Sequence, residues 1–150
     1  MSKRLARIER MRGVEREYQV AQVAVDLLKS ALRADPSLLA ARQLKRAHLE
    51  LLVAQLEPTY FVRLYSEFEA GLRDVWASHF KKKRRPHAEQ LIDALTSRQR
   101  VSDDYRRKVH TVRKYRNVLV HEGADETVPV ALGRARSFLC TFFSFMPEDW

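Results

Sequence analysis

The sequence has few of the residues that interrupt helices or cross-link chains. Of its 150 residues, four are Gly, five are Pro and one, Cys140, is Cys. A single cysteine excludes an internal disulfide and favours a reducing compartment. Scarce Gly and Pro, together with many Ala, Leu, Arg, Glu and Lys residues, favour an almost wholly helical protein. No stretch with the two-residue period of a strand is long enough to predict a sheet.

Other signatures are missing as well. No apolar run reaches the roughly 18 residues that a membrane-spanning helix needs. The first residues lead straight into an amphipathic pattern, without the apolar core of a secretory signal. We therefore expect a cytoplasmic protein with no membrane partner. The sequence also lacks paired cysteines, a His-Glu-x-x-His helix, a carboxylate cluster for two metals and a glycine-rich phosphate loop. These absences predict a protein without a metal ion or another cofactor.

Positive charge is what the chain has in excess. Lys and Arg number 28 against 19 Asp and Glu, which gives a net charge of +9. This excess suits a polyanionic partner, with nucleic acid first, an acidic protein second and an anionic membrane surface third. A basic surface that only keeps the protein soluble also fits.

The densest run of charge is Lys81-Lys82-Lys83-Arg84-Arg85, which is followed by Pro86. Five consecutive cations cannot face a core, so the run is expected to be an exposed linker or helix end. It either binds phosphates or forms a solvated last turn that complements the helix dipole. The pattern does not favour one of these interpretations over the other.

Apolar residues recur at helical spacing along almost the whole chain. The predicted helices run from about 3 to 33, from 36 to 56, from 59 to 80 after Pro58, from 87 to 96, from Ser102 to 121, and from Thr127 to about 145. The first two are predicted to form an antiparallel hairpin. The chain as a whole predicts an all-α, up-and-down helical bundle with a long N-terminal α-hairpin, in one domain of residues 1–150. Residues 57–150 form its core, and the hairpin of residues 1–56 either extends the bundle or belongs to it.

The third predicted helix has the strongest amphipathic pattern. Its apolar stripe consists of Phe61, Leu64, Tyr65, Phe68, Leu72, Val75 and Trp76, and we interpret it as core. Glu69 lies at the edge of this stripe. In the second predicted helix, His48 lies on the apolar side and is expected to be a hydrogen-bonded core or interface histidine.

The segment from Arg113 to Gly123 is the least typical of a purely structural helix. Wound at about 100° per residue, Tyr105, Val109, Val112 and Leu119 form one apolar stripe with Arg116 in its middle. An unpaired buried charge costs several kcal/mol. We therefore expect Arg116 to pair, with Glu69 as the best-placed acid, or to face a wet cavity. His121 is expected in the last helical turn, just before Gly123.

Histidine, arginine and asparagine on a basic protein are suited to RNA cleavage. RNA carries its own nucleophile, the 2′-hydroxyl, so cleavage without metal needs a general base, a general acid and a cation at the phosphate. Histidine titrates near neutrality and can do the first two tasks, and arginine can do the third. On an ideal helix, Arg116 and His121 point about 140° apart, whereas Asn117 and His110 point nearer to His121. Either the last turn distorts, or two chains pair so that each contributes.

The segment Arg116-Asn117-Val-Leu-Val-His121 resembles the Arg-x4-6-His signature of the HEPN family, including the polar residue that commonly follows the arginine. The segment from Phe61 to Trp76 resembles the aromatic helix upstream of it in RNase-like members. Together they cover roughly Pro58 to the C-terminus. The resemblance implies an α-helical bundle, usually a homodimer, with a metal-independent endoribonuclease site at the interface that leaves a 2′,3′-cyclic phosphate or a 3′-phosphate. Many members are toxins or defence effectors.

Carried over by position, the resemblance gives Arg116 the stabilisation of phosphate charge and His121 the proton transfers, while Asn117 orients the phosphate or the imidazole. The residues outside the signature are assigned from their positions in the predicted helices and from charge: we expect Glu69 to hold Arg116, His110 to support the site and residues 81–85 to supply RNA affinity. Gly123 departs from a subgroup that carries Tyr at this place, where modification by a nucleotidyltransferase antitoxin silences the toxin. Regulation at this position is therefore not expected, and the presence of an antitoxin or another regulatory partner stays open.

Two other functions fit the same residues. In the first, a non-catalytic helical module uses the motif as an RNA or nucleotide pocket. In the second, a structural or protein-interaction bundle contains a buried Arg116–Glu69 ion pair, and His121 only caps the helix end. The second alternative predicts that removing Arg116 destabilises the fold by roughly 3–5 kcal/mol, because it leaves a carboxylate without a partner.

Overall fold

The structure is a computed structural model that describes residues 1–80 and 86–150. In this part of the chain it contains five α-helices and no strand. The helices are α1 Lys3–Ala34, α2 Arg46–Phe80, α3 Ala88–Gln99, α4 Asp103–Val120 and α5 Leu132–Ser144, with a short 3₁₀ turn at Ala40–Arg42 between the first two. The predicted all-α, up-and-down arrangement is confirmed. No helix among these residues is long and apolar enough to cross a membrane.

The second and third predicted helices are in fact one. Helix α2 runs through Pro58 without interruption, although a proline inside a helix removes one hydrogen bond and typically costs about 3 kcal/mol. Contacts with α1 just beyond the proline hold the helix in register: Tyr60 packs against Tyr18 with ring centroids 5.7 Å apart, and Arg63 pairs with Glu17. The prediction that Pro58 opens a new helix was therefore wrong.

The segment that was expected to start the second helix forms turns instead. Residues 36–45 form turns, which include the 3₁₀ turn at Ala40–Arg42. The 3₁₀ turn ends at Gln43, which has a positive φ of 58°. His48 lies in the first turn of α2, and its Nδ1 accepts the backbone N–H of Lys45 at 3.1 Å. The expected hydrogen bond of His48 is therefore present. Its side chain is exposed, however, so the prediction that it is buried in the core of the chain was wrong.

The aromatic stripe of α2 is the centre of the core, as predicted. Six of its seven members are buried and Trp76 is partly buried. Phe68 contacts Phe142 and Phe143 of α5 with ring centroids 5.8 and 6.4 Å apart, in edge-to-face geometry. Such pairs contribute about 0.5–1.5 kcal/mol each beyond the area that they bury. The stripe therefore fixes α5 against α2, and α1, α3 and α4 cover the remaining sides of the core.

Helix α5 begins later than the sequence predicted. Its first residue is Leu132, with Ala131 at the N-cap position, so the expected N-cap at Thr127 was wrong. The residue that precedes a proline is disfavoured in helical conformation, and Val128 precedes Pro129. The backbone N–H of Leu132 is instead satisfied by Glu57 of α2, whose Oε1 accepts it at 2.8 Å.

Helices α1 and α2 reach far beyond the other helices. They run antiparallel, since Arg7 pairs with both Glu67 and Asp74 at 2.9 and 2.6 Å, and Tyr18 meets Tyr60. We call residues 19–56 the arm and the remaining helical part the body. The arm projects from the body by about 24 Å, at 1.5 Å per residue. The bond between Glu57 and Leu132 shows that the start of α5 lies at the base of the arm.

Candidate functional site

Helix α4 holds Arg116 through the apolar residues on either side of it. Val109 and Val112 are fully buried, and Tyr105 and Leu119 pack partly buried against the core. Arg116 is on the same side, as its spacing predicted, and its guanidinium carbon lies 5.7 Å from the centre of the Tyr65 ring. A cation over an aromatic face gains about 0.5–1 kcal/mol, and about 2 or more when desolvated.

The acid expected to neutralise Arg116 does not do so. Glu69 pairs with Arg73 of its own helix, with the Nε of Arg73 donating at 3.1 Å. Residues four apart on a helix are neighbours, so Arg73 is a closer partner for Glu69 than any residue of α4. Arg73 also donates to the carbonyl of Pro86 at 3.1 Å. The prediction that Arg116 forms an ion pair with Glu69 was therefore wrong.

Arg116 has no carboxylate at ion-pair distance in the described part of the chain. One of its terminal nitrogens, Nη1, donates to the side-chain oxygen of Asn117 at 3.3 Å. Its Nε is buried and has no acceptor within residues 1–80 and 86–150. The guanidinium is thus a partly buried cation that is held by an aromatic ring and one neutral hydrogen bond. It keeps capacity to donate hydrogen bonds to an anion.

Tyr65 combines a core position with a polar atom that the sequence analysis had not assigned to the site. The side chain is buried, and its hydroxyl has no hydrogen-bond partner among the described residues. Burial raises the pKa of Tyr65 well above its ordinary value, and the charge of Glu69 adds to the increase, whereas Arg113, Arg116 and Arg73 oppose it. A tyrosine within a stripe of Phe and Leu was the sequence signal for this environment.

His121 lies just outside α4. The helix ends at Val120, and His121 occupies the C-cap position with extended backbone, φ −125° and ψ 124°, while its N–H donates to the carbonyl of Asn117 at 2.9 Å. The expectation that His121 is part of the last helical turn was wrong. Two residues on, Gly123 has a φ of +76°, which a glycine adopts without strain. Because the helix has ended, the direction of His121 is not set by helical periodicity, and its side chain is exposed.

His110 belongs to a different contact, between α4 and α3. Its Nε2 lies 2.8 Å from Oδ1 of Asp93, and Arg113 donates to its Nδ1 at 3.4 Å. Arg106 donates to the same Asp93 oxygen at 3.0 Å. Burial raises the pKa of Asp93, but hydrogen bonds from His110 and Arg106 and their charges outweigh this and hold it below its ordinary value.

The structure therefore divides the predicted site residues into two groups. Arg116, Asn117 and the backbone of His121 are linked at the end of α4, whereas His110 is bound to α3 and Glu69 to Arg73. A further arginine, Arg113, pairs with Glu89 at 3.2 Å at the start of α3. The run Lys81-Lys82-Lys83-Arg84-Arg85 lies outside the described residues.

The terminal nitrogens of Arg116 are suited to bind an anion, and the exposed imidazole of His121 is suited to exchange a proton. Across the described ranges, no three His, Cys, Asp or Glu side chains lie close enough together to hold a metal ion. No protein-family model, curated protein or solved structure matches this chain.

Proposed function

We propose that this protein is a metal-independent endoribonuclease of the toxin or defence-effector type. Arg116, Asn117 and His121 form its site, which is completed at the interface of a homodimer. The observation that carries this proposal is the state of Arg116, a partly buried guanidinium without a carboxylate partner among the described residues. Burying a cation in this way costs stability, so the residue is better explained by an anionic ligand than by packing.

The position of His121 supports the same conclusion. Its backbone N–H donates to the carbonyl of Asn117, and its side chain is exposed, so the imidazole is accessible to a substrate. Asn117 connects the two functional residues, since its side-chain oxygen accepts from Arg116 and its carbonyl accepts from His121. Asn117 is thus suited to orient a phosphate between them.

The chemistry requires no group beyond these side chains and the RNA itself. His121 of one chain accepts the proton of the 2′-hydroxyl, and the 2′ oxygen attacks the adjacent phosphorus. The bond from phosphorus to the 5′ oxygen breaks, and the leaving oxygen takes a proton from protonated His121 of the second chain. Arg116 stabilises the additional negative charge on the phosphoryl oxygens. The products are a 2′,3′-cyclic phosphate and a free 5′-hydroxyl.

A second copy of the chain supplies the second histidine. Val120, the residue before His121, is 38% exposed, so some apolar surface for such a contact adjoins the histidine in the chain. A two-fold axis at this place brings together two histidines, two arginines and two asparagines. The net charge of +9 and the cationic run 81–85 attract the RNA backbone in the cytoplasm.

The test is cleavage of a mixed cellular RNA in excess chelator by the wild type, His121→Ala and Arg116→Ala. His121→Ala is expected to lose activity by a factor of about 10²–10⁴, the usual contribution of a proton-transfer group. Arg116→Ala is expected to lose a factor of about 10²–10³, the usual contribution of a donor that stabilises developing charge. His48→Ala, an exposed histidine on the arm, is the matched control and should cleave like the wild type. Equal activity in all four proteins, or none in the wild type, contradicts the proposal. Salt-sensitive RNA binding without products would indicate the non-catalytic binding module instead.

A further inference from the structure

The arm carries an apolar stripe on α1 that does not face α2. Its members are Val20, Ala24, Leu27 and Ala31, which fall within about 60° of one another on an ideal helix. The stripe that does face α2, Ala21, Val25, Leu28 and Leu32, is centred about 100° away. Val20 and Leu27 are 69% and 67% exposed. We call the first set the outer stripe.

The outer stripe begins where α1 leaves the body. On the same line of the helix, the body carries Glu9, Gly13 and Arg16, and Glu9 forms exposed ion pairs with Arg12 and Arg16. Residues 3–17 contain nine charged side chains, whereas residues 18–32 contain two, Asp26 and Lys29. A face that was selected only for solubility would remain charged along the arm, where it is more exposed. The change to apolar residues therefore indicates a partner that contacts the arm.

No described part of the chain itself covers the outer stripe. The side of α1 that carries Glu15 faces α5, because the carboxylate of Glu15 accepts a hydrogen bond from Arg136 of α5 at 2.7 Å. Around the axis of α1, the centre of the outer stripe lies about 150° from Glu15. On α2, Leu52 is 48% exposed and points about 140° away from Glu57, the residue that contacts α5. The outer stripe and Leu52 thus share the side of the arm that faces away from α5.

We infer that this side of the arm binds the same side of a second copy, so that the two arms form a four-helix bundle. In such a bundle each helix has two neighbours, whereas the arm's helices have one each within the chain, and only Val25 and Leu49 are buried in residues 19–56. Charge does not prevent a second copy from approaching at this place. Two chains of net charge +9 repel each other overall, but residues 18–32 contain only two charged side chains, Asp26 and Lys29, which have opposite signs.

The size of the face is sufficient for such a dimer. The arm is about 24 Å long, and two helices side by side are about 20 Å wide with their side chains. A stable interface buries about 800 Å² of accessible surface on each partner. The face covers about 500 Å² in projection, and the accessible area of side chains exceeds their projection, so the face reaches this range.

This contact goes beyond the proposed function and does not depend on it. If the arm contact and the contact at His121 both form, the protein is a tetramer with dihedral symmetry. Loss of the arm contact then leaves a dimer.

The experiment measures the mass of the full chain in solution at micromolar concentrations. Val20→Glu/Leu27→Glu is compared with Leu5→Glu/Gln19→Glu, which alters exposed residues outside the outer stripe and changes the net charge equally. The first variant is expected to have half the mass of the wild type, and the control the full mass. Leu52→Glu tests the other helix and should also lower the mass. Circular dichroism and thermal unfolding verify that each variant is folded.

A wild type that is monomeric overturns the inference, as does a Val20→Glu/Leu27→Glu variant with unchanged mass. RNA cleavage is measured on the same proteins and separates the two proposals. If the mass halves and cleavage persists, both proposals are supported. If the mass halves but even the wild type cleaves no RNA, the arm contact stands and the nuclease proposal fails.

Discussion

Replacement of Arg116 by alanine distinguishes a functional arginine from a structural one. In a structural bundle with a buried Arg116–Glu69 pair, the substitution would cost about 3–5 kcal/mol, because a buried carboxylate would lose its partner. In the structure, Glu69 remains paired with Arg73 whether Arg116 is present or not. What Arg116→Ala removes is the contact with the Tyr65 ring, worth about 0.5–2 kcal/mol, and one neutral hydrogen bond.

This loss is offset by the relief of a partly buried cation whose Nε has no acceptor among the described residues. We therefore expect the free energy of unfolding to fall by about 1 kcal/mol or less. For a chain of this length such a change shifts the melting temperature by about 2–4 °C. Urea unfolding, followed by circular dichroism, gives the free energy directly.

Arg136→Ala is the matched control for this measurement. Arg136 pairs with Glu15 at 2.7 Å, and the two side chains are 30% and 18% exposed, so its removal leaves a largely buried carboxylate. We expect a loss of about 2 kcal/mol for this control. If Arg116→Ala destabilises the protein as much as Arg136→Ala does, or by about 3 kcal/mol or more, Arg116 is a structural residue and the reasoning is refuted.

Three further predictions follow from the fold. Pro58→Ala should raise the free energy of unfolding by about 1–3 kcal/mol, because it restores a helical hydrogen bond inside α2, and urea unfolding would show no gain if Pro58 began a separate helix. Asp93 has a lowered pKa in the fold, so its contribution is present above its ordinary value of 3.8 and is lost as the pH falls through the folded pKa. Asp93→Asn should therefore be less stable than the wild type near neutral pH, by less than about 1 kcal/mol since the pair is partly exposed, and unfolding at a series of pH values should show the difference vanish in acid. Burial raises the pKa of Cys140 to about 11, so at pH 8 a thiol reagent should modify it only as fast as the protein unfolds; rapid modification of the native state would contradict its burial.

The features that depend on local periodicity could be predicted from the sequence. The stripe around Phe68 identified the core, and the spacing of Val109, Val112 and Arg116 placed the arginine on the inner side of α4. Both follow from the geometry of a single helix. The same reasoning predicted the first helix to within one residue at its end.

The features that depend on competition between contacts could not be predicted in this way. Pro58 was expected to begin a helix because its local cost is large, but tertiary contacts of Tyr60 and Arg63 outweigh that cost. Glu69 was assigned to Arg116 across two helices, although Arg73 was a nearer partner on its own helix. The end of α4 one residue before His121 also depends on the following loop, whose conformation has no periodic signal.

The most direct measurement uses a synthetic RNA that the wild-type protein cuts at one position, together with the same RNA carrying a 2′-deoxynucleotide at that position. In excess chelator, we expect the first RNA to yield a 2′,3′-cyclic phosphate and the second to stay intact, since the 2′-hydroxyl is the nucleophile. His121→Ala and Arg116→Ala should cut neither. Cleavage of the 2′-deoxy substrate, or cleavage of the all-ribose RNA that is undiminished in His121→Ala, would contradict the role of Arg116 and His121 in RNA cleavage.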